Sequence, residues 1–473
     1  MEGQKLKIRG AKRVKIMYNR FIYYMMKFVC RYLRLQQSEA DPLTTERIEL
    51  MPGVWLTAVR TDKFKSSYWA LRLMAPLQQE TASLNALLPY VLRRGTARFP
   101  DLASLSAELD ELYGGIIEPV ASKQGDVQVI GFAASFLDDA CVPEPVPLME
   151  RAATLLGELL LHPATKNGRL RQEYVRSEQE NLIRMIESRR NNKREYARQR
   201  LVEEMFSGEN YALDRLGDAA ELRKITALKL FGQYQTMLEK APIELYYCGS
   251  VPAKRVELAW REALMGLPRS NERYLIETRA CRGVPSEVRC VTERMEVTQG
   301  KMELGFRTGV SVSDPMFPAL LVANAMFGGT THSRLFLHVR EKRSLCYYAV
   351  SSLAKQKGVL IVSCGVDPAN FETAQTEILH QLDELQQGEF TPEEFAAAQK
   401  SVLNDLRSSL DEQSSLCTQW MLQRAAGEPF EPETLIERVS EVTEGMTAAA
   451  AMEIKLDTVY RLTGSKEEEA GIV

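Results

Sequence analysis

Hydrophobic and polar positions settle into regular periods from about Ile48 onward. Ile48 to Thr61 and Tyr68 to Pro76 alternate with period two and carry β-branched or aromatic residues, the pattern of strands. Thr81 to Arg94 changes period: Leu84, Leu87, Leu88, Val91 and Leu92 share one helical face. Val120 to Phe132 reads as a strand hairpin, and Leu170 to Phe206 as a long charged helical stretch broken near Arg190, Asn191 and Asn192. Ile243 to Tyr247 predicts a strand and Ala253 to Leu264 a helix, and Pro268 to Cys290 reads as a polar linker with little periodicity.

The same order then starts again. Lys301 to Arg307 predicts a strand, Phe317 to Phe327 a helix, Ser344 to Val350 and Val359 to Cys364 strands, and Phe371 to Leu385 and Pro392 to Arg424 helices. Sliding one half over the other lays Val120 to Phe132 on Ser352 to Cys364 at an offset of 232, which puts Lys123 and Gln124 on Lys355 and Gln356. Ala86 to Thr96, ending RRGT, meets Leu320 to Thr330, ending FGGT, at an offset of 234. Nearly equal offsets with matching elements imply an internal duplication of α+β halves. The expected divisions are residues 1–40 as a basic extension, 41–267 and 291–473 as the two halves, and 268–290 as the linker.

Composition narrows the class. The 473 residues exceed one compact domain, and 45% hydrophobic with 26% charged residues excludes a disordered or fibrous chain. Sixty Lys plus Arg against 63 Asp plus Glu leaves a net charge of -3, so no global field draws nucleic acid or anionic lipid. Eight cysteines with no CxxC pair, several inside apolar runs, read as reduced thiols of a cytoplasmic protein. Residues 1–37 differ from the rest, with ten Lys or Arg against one acid, Glu2. Lys27 interrupts the apolar stretch from Arg20 to Leu35, which fits neither a signal peptide nor a membrane span; a basic surface helix or a disordered tail remains open.

The residues alone disclose little chemistry. His332 and His338 stand six apart, His162 precedes Pro163, and His380 sits alone in a helical run, so none has metal-ligand spacing. No GxSxG elbow or P-loop occurs. An RNA-associated module would use the tail and the run Arg189, Arg190, Lys193, Arg194, but Glu187 and Glu195 flank that run, as on an ordinary solvated helix.

The segment Phe327 to Tyr348, FGGTTHSRLFLHVREKRSLCYY, resembles the insulinase/pitrilysin (M16) metallopeptidase family, in which a Gly-rich turn leads into SRLF, V-R-E-K and a strand opening L-x-Y. The resemblance covers roughly residues 46 to 463 and implies two homologous halves of the LuxS/MPP-like metallohydrolase fold, each a mainly antiparallel sheet covered by helices and enclosing a chamber. It also implies that Arg340 and Tyr347, seven apart, hold substrate backbone near the scissile bond. Active members carry HxxEH four residues before a GT, two His binding zinc and the Glu activating water. The matching positions here are Ala86, Leu87, Leu88, Pro89 and Tyr90, with Glu178 at the distal ligand and Glu118-Pro119 in place of an Asn-Ala on the substrate-binding edge strand. Ala86 cannot ligate, and Pro89 replaces the general base. The implied protein is a homologue inactive on its own, with no metal or cofactor of its own and zinc only in a partner.

Within that family the chain resembles a bacterial group described as inactive metalloproteases, paired with an active HxxEH relative, YmfH, and linked by name to 5-aminopentanol modification of elongation factor P. The expectation is therefore the Arg/Tyr subunit of a heterodimeric zinc peptidase that acts on unfolded peptide, with no nucleic acid and no transmembrane segment. The alternative is a non-enzymatic scaffold or chaperone-like peptide-binding protein, which co-purification of a zinc peptidase homologue would separate from the first.

Overall fold

The computed structural model describes residues 43–142, 146–283, 286–427 and 431–464; the basic extension therefore lies outside the described residues. Strands β1 (Thr44–Met51) and β2 (Val54–Arg60) form an antiparallel hairpin. The alternation from Ile48 to Thr61 had implied one strand. Pro52 offers no ladder donor and Gly53 takes a φ of 72°, so the chain reverses there. Next come β3 (Ser66–Pro76), α1 (Ala82–Leu92), α2 (Leu102–Glu111), β4 (Ile116–Gln124), β5 (Val127–Leu137) and α3 (Leu148–Leu161). A two-stranded ribbon, β6 (Thr165–Lys166) with β7 (Arg169–Leu170), precedes α4 (Gln172–Ser188) and α5 (Lys193–Met205). The expected break falls between these helices, where the Asn192 side chain accepts from the Glu195 amide and caps the new start. α6 (Ala219–Arg223), α7 (Ala227–Lys240), β8 (Ile243–Gly249) and α8 (Ala253–Ala263) complete the first set.

No helix or strand lies between Ala263 and Arg289 among the described residues. The second set is β9 (Arg289–Arg294), β10 (Gly300–Arg307), α9 (Phe317–Asn324), β11 (Cys346–Ala354), β12 (Val359–Val366), α10 (Phe371–Gln386), α11 (Pro392–Ser409), α12 (Gln413–Ala425), α13 (Pro432–Ser440), α14 (Glu444–Met452) and β13 (Lys455–Thr463). β9 begins inside the stretch read as linker. As the outer strand of its sheet it buries little, so its sequence shows no apolar run.

The two sheets repeat one topology. The first runs β1-β2-β8-β3-β5-β4 and the second β9-β13-β10-β12-β11. Setting β1 aside, each opens with a parallel pair, β2 with β8 and β9 with β13, and continues antiparallel. This is the two-halved α+β fold that the duplication implied.

One face of each sheet packs on its own helices. Leu56, Leu71, Phe132 and Leu245 meet Leu87, Leu156 and Trp260, while Leu304, Phe306 and Val362 meet Leu320, Ile378 and Ala450. The other faces are covered by exchange. α5, from the first set, lays Ala197, Leu201 and Met205 against Ile361, Tyr460 and Leu462 of the second sheet. α12, from the second set, lays Leu416, Trp420 and Met421 against Val59, Val129 and Tyr246 of the first. Trp420 Nε1 donates to Thr57 Oγ1 at 3.0 Å, and Gln413 Nε2 donates to the carbonyls of Ser66 and Cys248 at 2.9 and 3.0 Å. No helix among the described residues is long and apolar enough to cross a membrane. The apolar surroundings of the cysteines in the sequence imply buried thiols, but Cys141 and Cys290 are exposed, because they stand in a short 3-10 turn and on an outer strand.

Candidate functional site

After α9 the backbone widens into two π-helical segments, Ala325–Gly329 and Leu335–Lys342. Gly328 permits the first: a Cβ there would lie 2.8 Å from the Ser351 amide nitrogen of β11. Ser333, Arg334 and Leu335 of the SRLF run are buried, and Arg334 Nη1 pairs with Glu384 Oε2 of α10 at 2.7 Å. Those residues anchor the segment. Arg340 does not: its guanidinium sits 4.7 Å over the Phe336 ring, reaches its neighbour Glu341 at 3.5 Å and remains 41% exposed.

Ser344 then turns the chain with a φ of 51° into β11. The ladder with β12 steps from Cys346 opposite Val366 to Tyr348 opposite Gly365, leaving Tyr347 as the extra residue of a bulge. Tyr347 is 77% exposed while Tyr348 beside it lies across Gly365. Arg340 lies six residues before β11 begins at Cys346, and Tyr347 follows directly after it. The Cys346 thiol between them is held below its ordinary value, first by its hydrogen bond with Cys364 and also by the Arg340 charge.

The other predicted positions lie in the first half. Ala86 and Pro89 are buried in α1 among core leucines. Half-buried Tyr90 has its phenol pushed up by burial, an effect partly offset by Arg215 and Arg189 and reinforced by Glu178. Glu178, buried on α4, faces that helix. Its Oε1 takes Arg94 Nη1 at 2.9 Å and its Oε2 takes Asn181 Nδ2 at 3.1 Å. The Arg94 guanidinium also lies 5.0 Å over the Tyr174 ring. Of the histidines, His162, His332 and His380 are exposed, His380 pairs with Glu384, and His338 is half-buried in the segment that carries Arg340.

Residues 224–402 match the family described as Peptidase M16 inactive domain. The probable inactive metalloprotease YmfF of Bacillus subtilis (strain 168) is 33% identical over 422 residues, 88% of this chain and 96% of that protein. The chain belongs to the M16 peptidase family. Among solved structures, a conserved protein from Enterococcus faecalis V583 superposes with a TM-score of 0.82 at 26% identity, covering 89% of this chain and 99% of that one. The peptidase M16 inactive domain from Pseudomonas fluorescens gives 0.74 at 16% identity, covering 89% and 98%.

As an inactive M16 homologue the chain can be tested against the zinc its family binds. The residues do not fit it. Ala86 carries no donor, burial opposes ionisation of the Tyr90 phenol, and the one surviving carboxylate, Glu178, is already neutralised by Arg94. Among the described residues no group of three His, Cys, Asp or Glu side chains could hold a metal ion.

Sequence reasoning missed three residues of this M16 chain: Arg94, which pairs with Glu178, and Arg93 and Arg215, which bind backbone carbonyls of β4. The RRGT string contained two of them. Nothing in the string shows what a guanidinium reaches.

Proposed function

We propose that this chain is the non-zinc subunit of a two-chain peptidase, supplying Arg340 and Tyr347 to a peptide held at the zinc of an HxxEH-bearing M16 partner of the YmfH type. The observation that carries the reading is the contrast between the two groups. The degenerate zinc positions are packed or ion-paired within the core, whereas a bulge turns the Tyr347 phenol out to solvent and Arg340, over Phe336 and beside Glu341, keeps a partly exposed guanidinium. A large aromatic kept 77% exposed contributes nothing to the core.

In such a complex the two side chains donate to the substrate carbonyl, or to the oxyanion that forms as water attacks it, so their effect is greatest in the transition state. The substrate class is an unfolded peptide, because the groups recognise backbone. A cytoplasmic location belongs to this reading, supported by seven cysteines that are free in the structure, and so does the elongation factor P link that the resemblance carries.

The test is co-expression with an HxxEH partner and a quenched peptide that the wild-type complex cleaves. Arg340→Ala and Tyr347→Phe each lower turnover by about 10²-fold, the usual cost of one oxyanion donor, and leave the complex intact on size exclusion. Arg340→Lys rescues poorly, since an ammonium lacks the planar fork. Unchanged turnover in an intact complex favours the scaffold instead.

A further inference from the structure

Hydrogen-bond parity in the first sheet identifies which groups of β4 face its open side. The Leu77 amide donates to the Asp126 carbonyl and the Asp138 amide to the Lys65 carbonyl, both at 2.9 Å. With Pro76 opposite Val127 and Ser66 opposite Leu137, even-numbered residues of β5 therefore bond to β3. Its odd-numbered residues bond to β4, at Gln124, Ser122, Val120, Glu118 and Ile116. Ile117, Pro119, Ala121 and Lys123 are left with their backbone groups turned outward, on the last strand of the sheet.

That outward row is occupied from within. Arg93, the residue after α1, donates its Nε to the Ile117 carbonyl at 2.7 Å. Arg215, from the loop before α6, donates Nη1 to the Ala121 carbonyl at 2.7 Å. Between them Pro119 has no amide hydrogen. A strand adding to this edge needs N–H and C=O from every second residue. Two of the carbonyls are held by charged donors, and the donor between them does not exist. The equivalent strand of the second sheet differs: the Thr308 amide bonds the Gly358 carbonyl, so Ala349, Ser351 and Leu353 face outward by the same parity, and among the described residues no side chain donates to their carbonyls.

We propose that β4 is a sealed edge, closed to any extended peptide by Arg93, Pro119 and Arg215. In the two-chain peptidase proposed above, on which this setting rests, β4 then takes no part in pairing with substrate, and this chain meets the peptide through Arg340 and Tyr347.

The experiment is hydrogen exchange by mass spectrometry on the full chain without any partner, so its outcome does not depend on complex formation. The probe is reduced, carboxymethylated α-lactalbumin, a permanently unfolded chain. In the wild type, exchange across residues 116–124 is unchanged by the probe. In Arg93→Ala/Pro119→Val/Arg215→Ala the probe slows exchange there by at least about tenfold, as amides gain partners. Arg215→Ala alone, a surface change that keeps the fold, gains protection confined to Ala121 and Lys123. Slowing in the wild type overturns the proposal, and so does failure of both variants to gain protection. Turnover by the two-chain complex judges the other reading separately.

Discussion

Arg94 neutralises the buried Glu178 carboxylate, and removing it should show how much the packing of α1 on α4 depends on that pair. Taking one partner from a buried ion pair costs about 3–5 kcal/mol. Here the Arg94 side chain is 26% exposed and Glu178 10%, so solvent screening reduces the pairing loss to about 2 kcal/mol. The lost stacking on Tyr174 adds roughly 0.5–1 kcal/mol. Arg94→Ala should therefore destabilise by about 2–3 kcal/mol and Glu178→Gln by about 1–2 kcal/mol. The double variant Arg94→Leu/Glu178→Leu, which leaves no stranded charge, should cost less than about 1 kcal/mol. Urea unfolding followed by tryptophan fluorescence suits the measurement, because Trp55, Trp69, Trp260 and Trp420 all lie on or against the first half. Additive single-variant costs, with no coupling near 2 kcal/mol, would refute the reasoning.

Three further outcomes are expected. The isolated chain, loaded with zinc and desalted, should retain no stoichiometric metal by elemental analysis and cleave no peptide; one tightly held zinc per chain counts against the reading. Burial pushes the Glu303 carboxyl up from 4.5 to about 8, with Ser363 donating at 2.5 Å and Glu303 Oε1 left without a partner. A raised value means that the native state binds the extra proton, so this contribution is full below about pH 4.5 and fades as pH rises through about 8. Glu303→Gln should flatten the fall in stability across that window, read from urea midpoints at successive pH values. Trp420→Ala should cost about 3–5 kcal/mol, from the cavity on the first sheet and the loss of the bond to Thr57; a cost below about 1 kcal/mol would show that α12 is loosely seated.

The duplicated fold was legible because strands and helices write their periods locally, and because Lys123-Gln124 and Lys355-Gln356 stand equally far before β5 and β12, although the first pair ends a strand and the second lies in the turn. The Arg340 and Tyr347 pair was proposed from a short contiguous motif. What the motif did not reveal is that Tyr347 is the extra residue of a bulge, since bulging depends on the β12 partner and not on the string itself. Arg94 meets Glu178 across 84 positions and Arg215 meets Ala121 across 94, and no local pattern encodes such a pair. The exchange of α5 and α12 was equally hidden: an amphipathic helix records that one face is buried, not which sheet buries it.

That exchange makes each half the other's lid. Were the chain cut within the stretch between Ala263 and Arg289, which carries no helix or strand, the fragments would still hold each other through Trp420 on one sheet and Leu201 on the other. Made separately, each fragment would present a bare apolar sheet and an orphaned amphipathic helix, the surface that drives aggregation. Mixed during refolding, they should find one another, because each carries the missing piece of its counterpart.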